Sequence, residues 1–490
     1  MRRIWAAAAA AGALAAAGCG GGGGGGGSVP EGAGVAPASS IAFISVNTDF
    51  SSDQWQKVTK LAARFPGTPQ LIAEIEKQTH GLDFEQDVKP ALGPEVDLVW
   101  IDAKNDGNDV VGLTKPDSEA KLEGLLLKAR SKGESKAALA KVGDWVAIAD
   151  SQAKLDRFVA ASHGDKLADD ADFRQAFEQV DSGSSVRAWV SGPFVQAAMD
   201  KGLADNGAPP RLTHDVGDLK AISGGAKAED DGASIELNGL IDPTPDPATF
   251  DPSLPGDVPD GVLLYVGTTS LDAPLKTVLR LVGKSLPKFN SQLNQVETVL
   301  GITLQGDIYP LLKGESALAV YRGTPDVPRI LFVQKVDDDQ KAESLLRKIG
   351  AIAQLGGDVR VGTVELGGET VHTLTVPGTV TIYDGVSKGK LFITNAANLA
   401  EQTISGPSNS LGDDPLYRST RDATGMPKNV AAFAYGDLEN GLPYVLRLAA
   451  QSGSSVPPEA FANTKPLHGA VVYLVKDGDA LRMSGFATIK

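Results

Sequence analysis

The chain is written twice, and no other feature constrains its fold as strongly. Gly81-Leu82-Asp83-Phe84-Glu85-Gln86-Asp87-Val88-Lys89-Pro90-Ala91-Leu92 aligns with Gly301-Ile302-Thr303-Leu304-Gln305-Gly306-Asp307-Ile308-Tyr309-Pro310-Leu311-Leu312, a shift of 220 residues. The same shift carries Leu125-Leu126 onto Leu345-Leu346. Farther on the shift is 244. Asp169-Asp170 falls on Asp413-Asp414, Phe173 on Tyr417, and Val186-Arg187-Ala188-Trp189 on Val430-Ala431-Ala432-Phe433. The second copy therefore holds an insertion, placed within 356–384, where Val359-Arg360-Val361, Val371-His372-Thr373-Leu374 and Val380-Thr381-Ile382-Tyr383 read as extra strands. Between the copies, Asp242-Pro243-Thr244-Pro245-Asp246-Pro247 continues through Pro252 and Pro255. Proline at this density removes backbone donors and favours extended chain, so 242–258 reads as a linker. The expected layout is two tandem related lobes, 36–241 and 259–490.

Each copy reads as α+β, a mostly antiparallel sheet with packed helices. Ile41 to Val46 is a strand by its β-branched content. Ser51 or Ser52 precedes a helix with Trp55, Val58 and Leu61 on one face. Thr68-Pro69 starts another, in which Leu71, Ile72 and Ile75 are expected to face inward. Val96 to Ile101 and Val110 to Thr114 form a hairpin around Asn105-Asp106-Gly107. Trp145 to Ala149 and Val186 to Val190 are further strands, and the copy ends in a hairpin at Asp230-Asp231-Gly232. Strict βα alternation is missing, which argues against a parallel sheet.

Cys19 is the only cysteine. It follows Met1-Arg2-Arg3-Ile4-Trp5, an alanine-rich run and Ala16-Ala17-Gly18. Residues 1–18 have the positive start, short apolar stretch and small residues of a secretion signal, and Cys19 stands where a bacterial lipoprotein carries its lipid. Ala16 departs from the usual leucine, and an ordinary signal peptide cut after Ala17 is the alternative. Gly20 to Gly27 then make 19–35 a flexible tether. The expected location is the outer face of the cytoplasmic membrane, with secretion as the alternative.

A net charge of −15 disfavours nucleic acid as a partner, because phosphates require a basic surface. With Cys19 given to lipid, no disulfide is expected, and stability must come from packed cores.

Phe65-Pro66 and Gly81 to Gly93 resemble a family of exported bacterial proteins, common in actinobacteria and known only as a domain of unknown function. The resemblance implies export and this fold. It brings no reaction, cofactor or catalytic residue.

A search for chemistry returns little. His80, His163, His214, His372 and His468 lack metal-ligand spacing, so no metal or cofactor is expected. Gly283-Lys284-Ser285 resembles the end of a phosphate loop, but Val278 stands where the first glycine belongs. Asp102 to Gly107 resembles a calcium loop, with Lys104 at a ligand position. Asp169-Asp170 and Asp413-Asp414 read as helix caps rather than an acid pair. The expected function is therefore not catalytic: a lipid-anchored binding or scaffold module of the cell envelope. The alternatives are a carrier of an apolar ligand such as a lipid, and a hydrolase with an unrecognised site. The expected partners are the membrane, through the anchor, and an envelope protein or apolar ligand.

Overall fold

The computed structural model describes residues 28–490 except 79–81, 104–108, 132–136, 207, 208, 210, 287, 325, 326 and 356–358. Period-two alternation builds the strands and apolar stripes build the helices of the first half: β1 (Ala42–Asn47), α1 (Asp53–Ala62), α2 (Thr68–Gln78), β2 (Glu95–Trp100), β3 (Val110–Thr114), α3 (Glu119–Ser131), β4 (Ala138–Val142), β5 (Trp145–Ala149), α4 (Gln152–Ala161), α5 (Ala171–Glu178), β6 (Val186–Ser191), α6 (Gly192–Asp205), β7 (Asp218–Glu229) and β8 (Gly232–Asp242). The second half follows as β9 (Val262–Thr269), α7 (Asp272–Ser285), α8 (Phe289–Leu300), β10 (Glu315–Thr324), β11 (Val327–Lys335), α9 (Asp339–Leu355), β12 (Arg360–Leu366), β13 (Glu369–Val376), β14 (Val380–Ser387), β15 (Lys390–Thr394), α10 (Ala397–Ser405), α11 (Pro415–Thr424), β16 (Ala432–Asp437), α12 (Leu438–Gln451), α13 (Pro458–Thr464), β17 (Leu467–Asp477) and β18 (Ala480–Ile489). The element order of the first half recurs in the second. Residues 380–383 fall in β14, the counterpart of β4, so the insertion adds two strands, β12 and β13, rather than three.

The strands form one antiparallel sheet of 18. The first half runs β4-β5-β3-β2-β1-β6-β7-β8. It joins the second through β8–β18, which continues β17-β16-β9-β10-β11-β15-β14-β13-β12. At the junction Leu237 lies opposite Met483. Near the chain ends the repeat shift is 246, carrying Asp231-Gly232 onto Asp477-Gly478 and Gly239 onto Gly485. Leu237 and Met483 are thus counterparts, and a pseudo-two-fold axis normal to the sheet passes through this pair. Leu240 of β8 and Ala480 of β18 share one buried cluster, so the core does not stop at the junction.

The stretches expected as tether and linker are partly built into the body. Glu31–Gly34 forms a 3-10 turn in the first half and Leu254–Gly256 one in the second. Ala33, Ala36, Leu254 and Val258 are fully buried. An acid at the start of a strand supplies the acceptor each time. Glu95 takes the Gly32 N–H at 3.1 Å, and its counterpart Glu315 takes the N–H groups of Ser253 and Leu254, both at 2.8 Å. A charged acceptor fixes an otherwise unsatisfied backbone donor.

The two faces of the sheet differ. On one, α4 and α5 cover Phe43, Val99 and Trp189, while α10 and α11 cover Tyr265, Tyr321 and Phe433. This face is sealed. On the other, α1 covers Ala228, Ala233 and Ile489, and α3 covers Val96, Val146 and Ile148. That second face is only partly covered.

Candidate functional site

The partly covered face is widest in the second half. Leu264 and Val266 of β9, Leu318 and Val320 of β10, Ile330 and Phe332 of β11 and Ile393 of β15 point the same way, because alternate residues of a strand share a face. Their register makes them direct neighbours. Leu264 lies opposite Val320, which lies opposite Ile330; Val266, Leu318, Phe332 and Ile393 form the next row. Leu264, Leu318, Ile330 and Ile393 are each 37–43% exposed. The intervening residues Tyr265, Ala317, Ala319, Leu331 and Phe392 are buried against the sealed side. In the first half, the counterparts Leu98 and Ile148 are 7% and 3% exposed. The basin is bordered by α12, whose Tyr444 hydroxyl meets Gly323 N and Thr324 O of β10, and by α9, whose Leu345 and Leu346 pack with Leu391.

Helices bordering the same side carry further unburied apolar residues: Leu71 and Ile72 of α2, Met199 of α6, Val278 of α7, Val296 and Val299 of α8, and Val445 of α12. Leu71 and Ile72 were expected to face inward, and they are 42% and 45% exposed. Among the described residues, no element covers Leu71 and Ile72. No residue of α4, α5, α10 or α11 is among the exposed large hydrophobics. Val364 of the inserted β12, opposite the buried Val371, is an exposed residue on the other face; scattered exposed apolar residues are ordinary, but a contiguous set marks an interaction surface.

The family whose sequence model matches covers residues 115–472 and is described as a protein of unknown function, DUF3352. The chain belongs to that family. The matched span of DUF3352 includes every residue of the basin. It includes the repeat 301–312 but begins after Gly81 to Gly93, the stretch that carried the resemblance. No curated protein matches the chain. One solved structure, crystal form III of TP0453, is similar over 50% of this chain and 95% of its own, with 8% identity and a TM-score of 0.25, a likeness too slight to carry an argument.

The sequence motif shared by the two copies of this DUF3352 chain is structural. Asp83 accepts the Gln86 N–H at 2.8 Å and donates its own N–H to Asp87 at 2.9 Å. Thr303 accepts from Gly306 at 3.0 Å and donates to Asp307 at 2.8 Å. Lys128 then pairs with Asp87, and Lys348 with Asp307 at 3.3 Å. Each motif thus caps a tight helical turn and ties it to α3 or α9.

The remaining residues singled out in the sequence serve the fold. Asp170 accepts the Phe173 N–H at 2.8 Å, and Asp414 accepts from Leu416 and Tyr417 at 2.7 and 3.2 Å, so both acids cap helices. Lys284 ends α7 and pairs with Asp215 at 2.5 Å. Asp102 pairs with Arg157 at 3.1 Å, while 104–108 lie outside the described residues. Cys19 and His80 also lie outside them. His372 sits between Glu343 at 3.1 Å and Asp384 at 3.3 Å, joining α9 to the inserted strands. Burial pushes the Asp384 carboxyl up. His468 meets Glu439 at 2.8 Å. His214 bridges Asp200, at 3.5 Å, and Asp218 beside an open groove of about 590 Å³ between α6 and β7. The hydrogen bond to His214 holds the Asp218 carboxyl below its usual range. Among the described residues no group of three or more His, Cys, Asp or Glu is arranged to hold a metal. No described helix is long and apolar enough to cross a membrane.

One buried group could not be read from the sequence. Asp97 of β2 is fully buried on the sealed face; Ser45 and Glu95 stand beside its carboxyl, but neither oxygen has a well-formed hydrogen bond. Burial, then the charge of Glu95, pushes this carboxyl well above the usual range, partly offset by Ser45 and Arg187. Its counterpart is Ala317.

Proposed function

We propose that this DUF3352 protein is a membrane-tethered, extracytoplasmic binding module that takes an apolar, lipid-like ligand in the basin formed by β9, β10, β11 and β15. The observation that carries this reading is the contiguity of apolar residues on the open face: seven lie in two rows of the sheet, and four of them, Leu264, Leu318, Ile330 and Ile393, are exposed. Fully burying an exposed side chain of this kind is worth roughly 1.5–3 kcal/mol, and these are about two-fifths exposed, so an occupant that covers several gains a corresponding fraction from each. The basin is open and elongated across four strands, roughly 14 Å at the usual strand spacing. That shape suits an extended alkyl chain better than a compact polar metabolite. A lipid carried on Cys19 would keep the protein at the membrane that supplies such chains.

Two measurements test this. The chain with Cys19→Ser, purified without detergent, is examined by native mass spectrometry and then titrated with a fluorescent long-chain fatty acid. We expect co-purifying lipid or saturable probe binding, lost in Leu318→Asp with the fold intact. If the wild-type basin neither carries lipid nor binds the probe, the apolar-ligand reading is wrong. If binding survives Leu318→Asp unchanged, the basin is not the site. For the tether, radiolabelled palmitate should enter the wild-type protein but not Cys19→Ser; incorporation into neither would reject the anchor.

A further inference from the structure

The helix α8 raises a question that the basin does not answer. It has 12 residues, and none is buried. Phe289, Leu293, Val296 and Leu300 follow helical spacing along one side, with Val299 next to them at 76% exposure. A helix this short is marginal in water on its own and is normally held by burying its apolar side. Phe289, Leu293 and Leu300 are only half-buried, and Val296 and Val299 are left 50% and 76% exposed by the described residues.

Its counterpart α2 is in the same condition, with Leu71 and Ile72 outward. The pseudo-two-fold axis is normal to the sheet, so it carries the α1–α2 pair onto α7–α8 and leaves both on one side. The attachments match. After α1, Gly67 donates to Asn463 of α13 at 2.7 Å; at the end of α7, Lys284 reaches Asp215, at the equivalent place in the first half, at 2.5 Å. α1 lies over Ala228, Ala233 and Ile489, on the same face as Leu237. Two amphipathic helices on one side of the sheet, related by an axis normal to it, are complementary to a plane.

Charge and reach favour one planar partner. Residues 272–300 carry Lys276, Arg280, Lys284 and Lys288 against Asp272 and Glu297; Lys276 pairs with Asp272 and Lys284 with Asp215, so the local excess of cations is small and rests on Arg280 and Lys288, while α2 carries Glu74 and Glu76 against Lys77. That excess draws the α7–α8 segment to anionic headgroups. Eight residues, nine Cα–Cα steps, separate Cys19 from Ser28, whose carbonyl is held by Arg187 at 2.6 Å on the sealed side. Fully extended they reach about 30 Å. A helix layer lies roughly 10 Å from the sheet on either side, and Arg187 is the second residue of β6, so the tether can pass the nearby strand ends while the opposite side rests on the bilayer.

We propose that α2 and α8 together lie in the interfacial layer of the bilayer to which the N-terminus is attached, with Leu71, Ile72, Val296 and Val299 among the acyl chains. The basin then opens toward the membrane. This proposal does not depend on whether a ligand occupies the basin.

The test uses the chain from residue 19 with Cys19→Ser, held by an N-terminal hexahistidine tag on vesicles of phosphatidylglycerol and phosphatidylcholine (1:3) containing a nickel-chelating lipid. Cys19→Ser removes the only thiol, so a single new cysteine labels uniquely. An environment-sensitive fluorophore is placed at Val299→Cys, at Ile72→Cys, or at Ser419→Cys on the sealed side. At 299 and at 72 we expect emission to rise at least about twofold on tethering, with quenching by brominated acyl chains; at 419 neither should occur. Labels at 299 or 72 that stay in water while the protein is tethered would overturn the proposal, as would equal quenching at 419. Fatty-acid binding by the untethered chain is read separately, so failure here leaves the ligand reading standing, and the reverse.

Discussion

Asp97→Ala is expected to stabilise the protein, and to do so more at pH 8 than at pH 5. The carboxyl is fully buried beneath the turn that contains Gly32, with Ser45 and Glu95 beside it but no well-formed hydrogen bond. A buried polar group left unsatisfied costs about 1–3 kcal/mol, and more when ionised. Alanine leaves a void of roughly 40 Å³, which at about 24 cal/mol per Å³ costs about 1 kcal/mol. The net gain should be about 1–2 kcal/mol at pH 8. The second half already has this arrangement, with Ala317 buried at the equivalent place. The pH dependence follows from the direction of the shift. The folded-state carboxyl binds its proton more tightly than the unfolded one, so between the two values the native state holds the extra proton. Stability is therefore greatest below the usual carboxylate range and declines as pH rises through the folded value. Asp97→Ala removes that decline. Urea unfolding at pH 5 and pH 8, followed by tryptophan emission, reads both effects, since Trp145 lies beside the site. A variant less stable than wild type at both pH values, or a difference that does not grow with pH, would refute the reasoning.

Other substitutions test other parts of the structure. Gly32→Ala would set a Cβ 1.7 Å from an Asp97 carboxylate oxygen, so it should destabilise by about 1–3 kcal/mol; adding Asp97→Ala should recover much of the loss, a non-additivity read by urea unfolding. Asp414→Ala removes the acceptor of two backbone N–H groups and Asp170→Ala that of one, so urea midpoints should show a loss of about 1 kcal/mol for Asp170→Ala and more for Asp414→Ala. Asp307→Ala should lower stability by about 1 kcal/mol at neutral pH. Its hydrogen bond from Thr303 holds that carboxyl below the usual range, so the difference should shrink as pH falls through the folded value, as acid titration of the urea midpoint would show. Leu318→Asp on the open face should change the midpoint by under about 1 kcal/mol, whereas Ala319→Asp, its neighbour on the sealed face, should prevent folding, as circular dichroism would show.

Local chemistry was legible in the sequence. Asp170 and Asp414 act within a turn of their own helices, so an acid ahead of an apolar run sufficed to predict the caps. Strands such as Trp145–Ala149 showed as short unbroken apolar runs, and the shift between the copies anticipated the recurring order of elements. The motif 81–92 and its repeat stood out because they satisfy their own backbone within five residues.

What needed the tertiary structure was coverage. A stripe such as Leu71, Ile72 and Ile75 states that a helix has an apolar side; whether that side is buried depends on an element hundreds of residues away, and for Leu71 and Ile72 that element is missing among the described residues. The same holds for Leu318, whose counterpart Leu98 has similar neighbours in the sequence yet lies buried. The insertion of β12 and β13 and the pairing of β8 with β18 are non-local choices, set by register and packing rather than by propensity. Sequence alone determined which residues are apolar and at what spacing. Folding decided which of them meet a partner, and so left one side of a continuous sheet open.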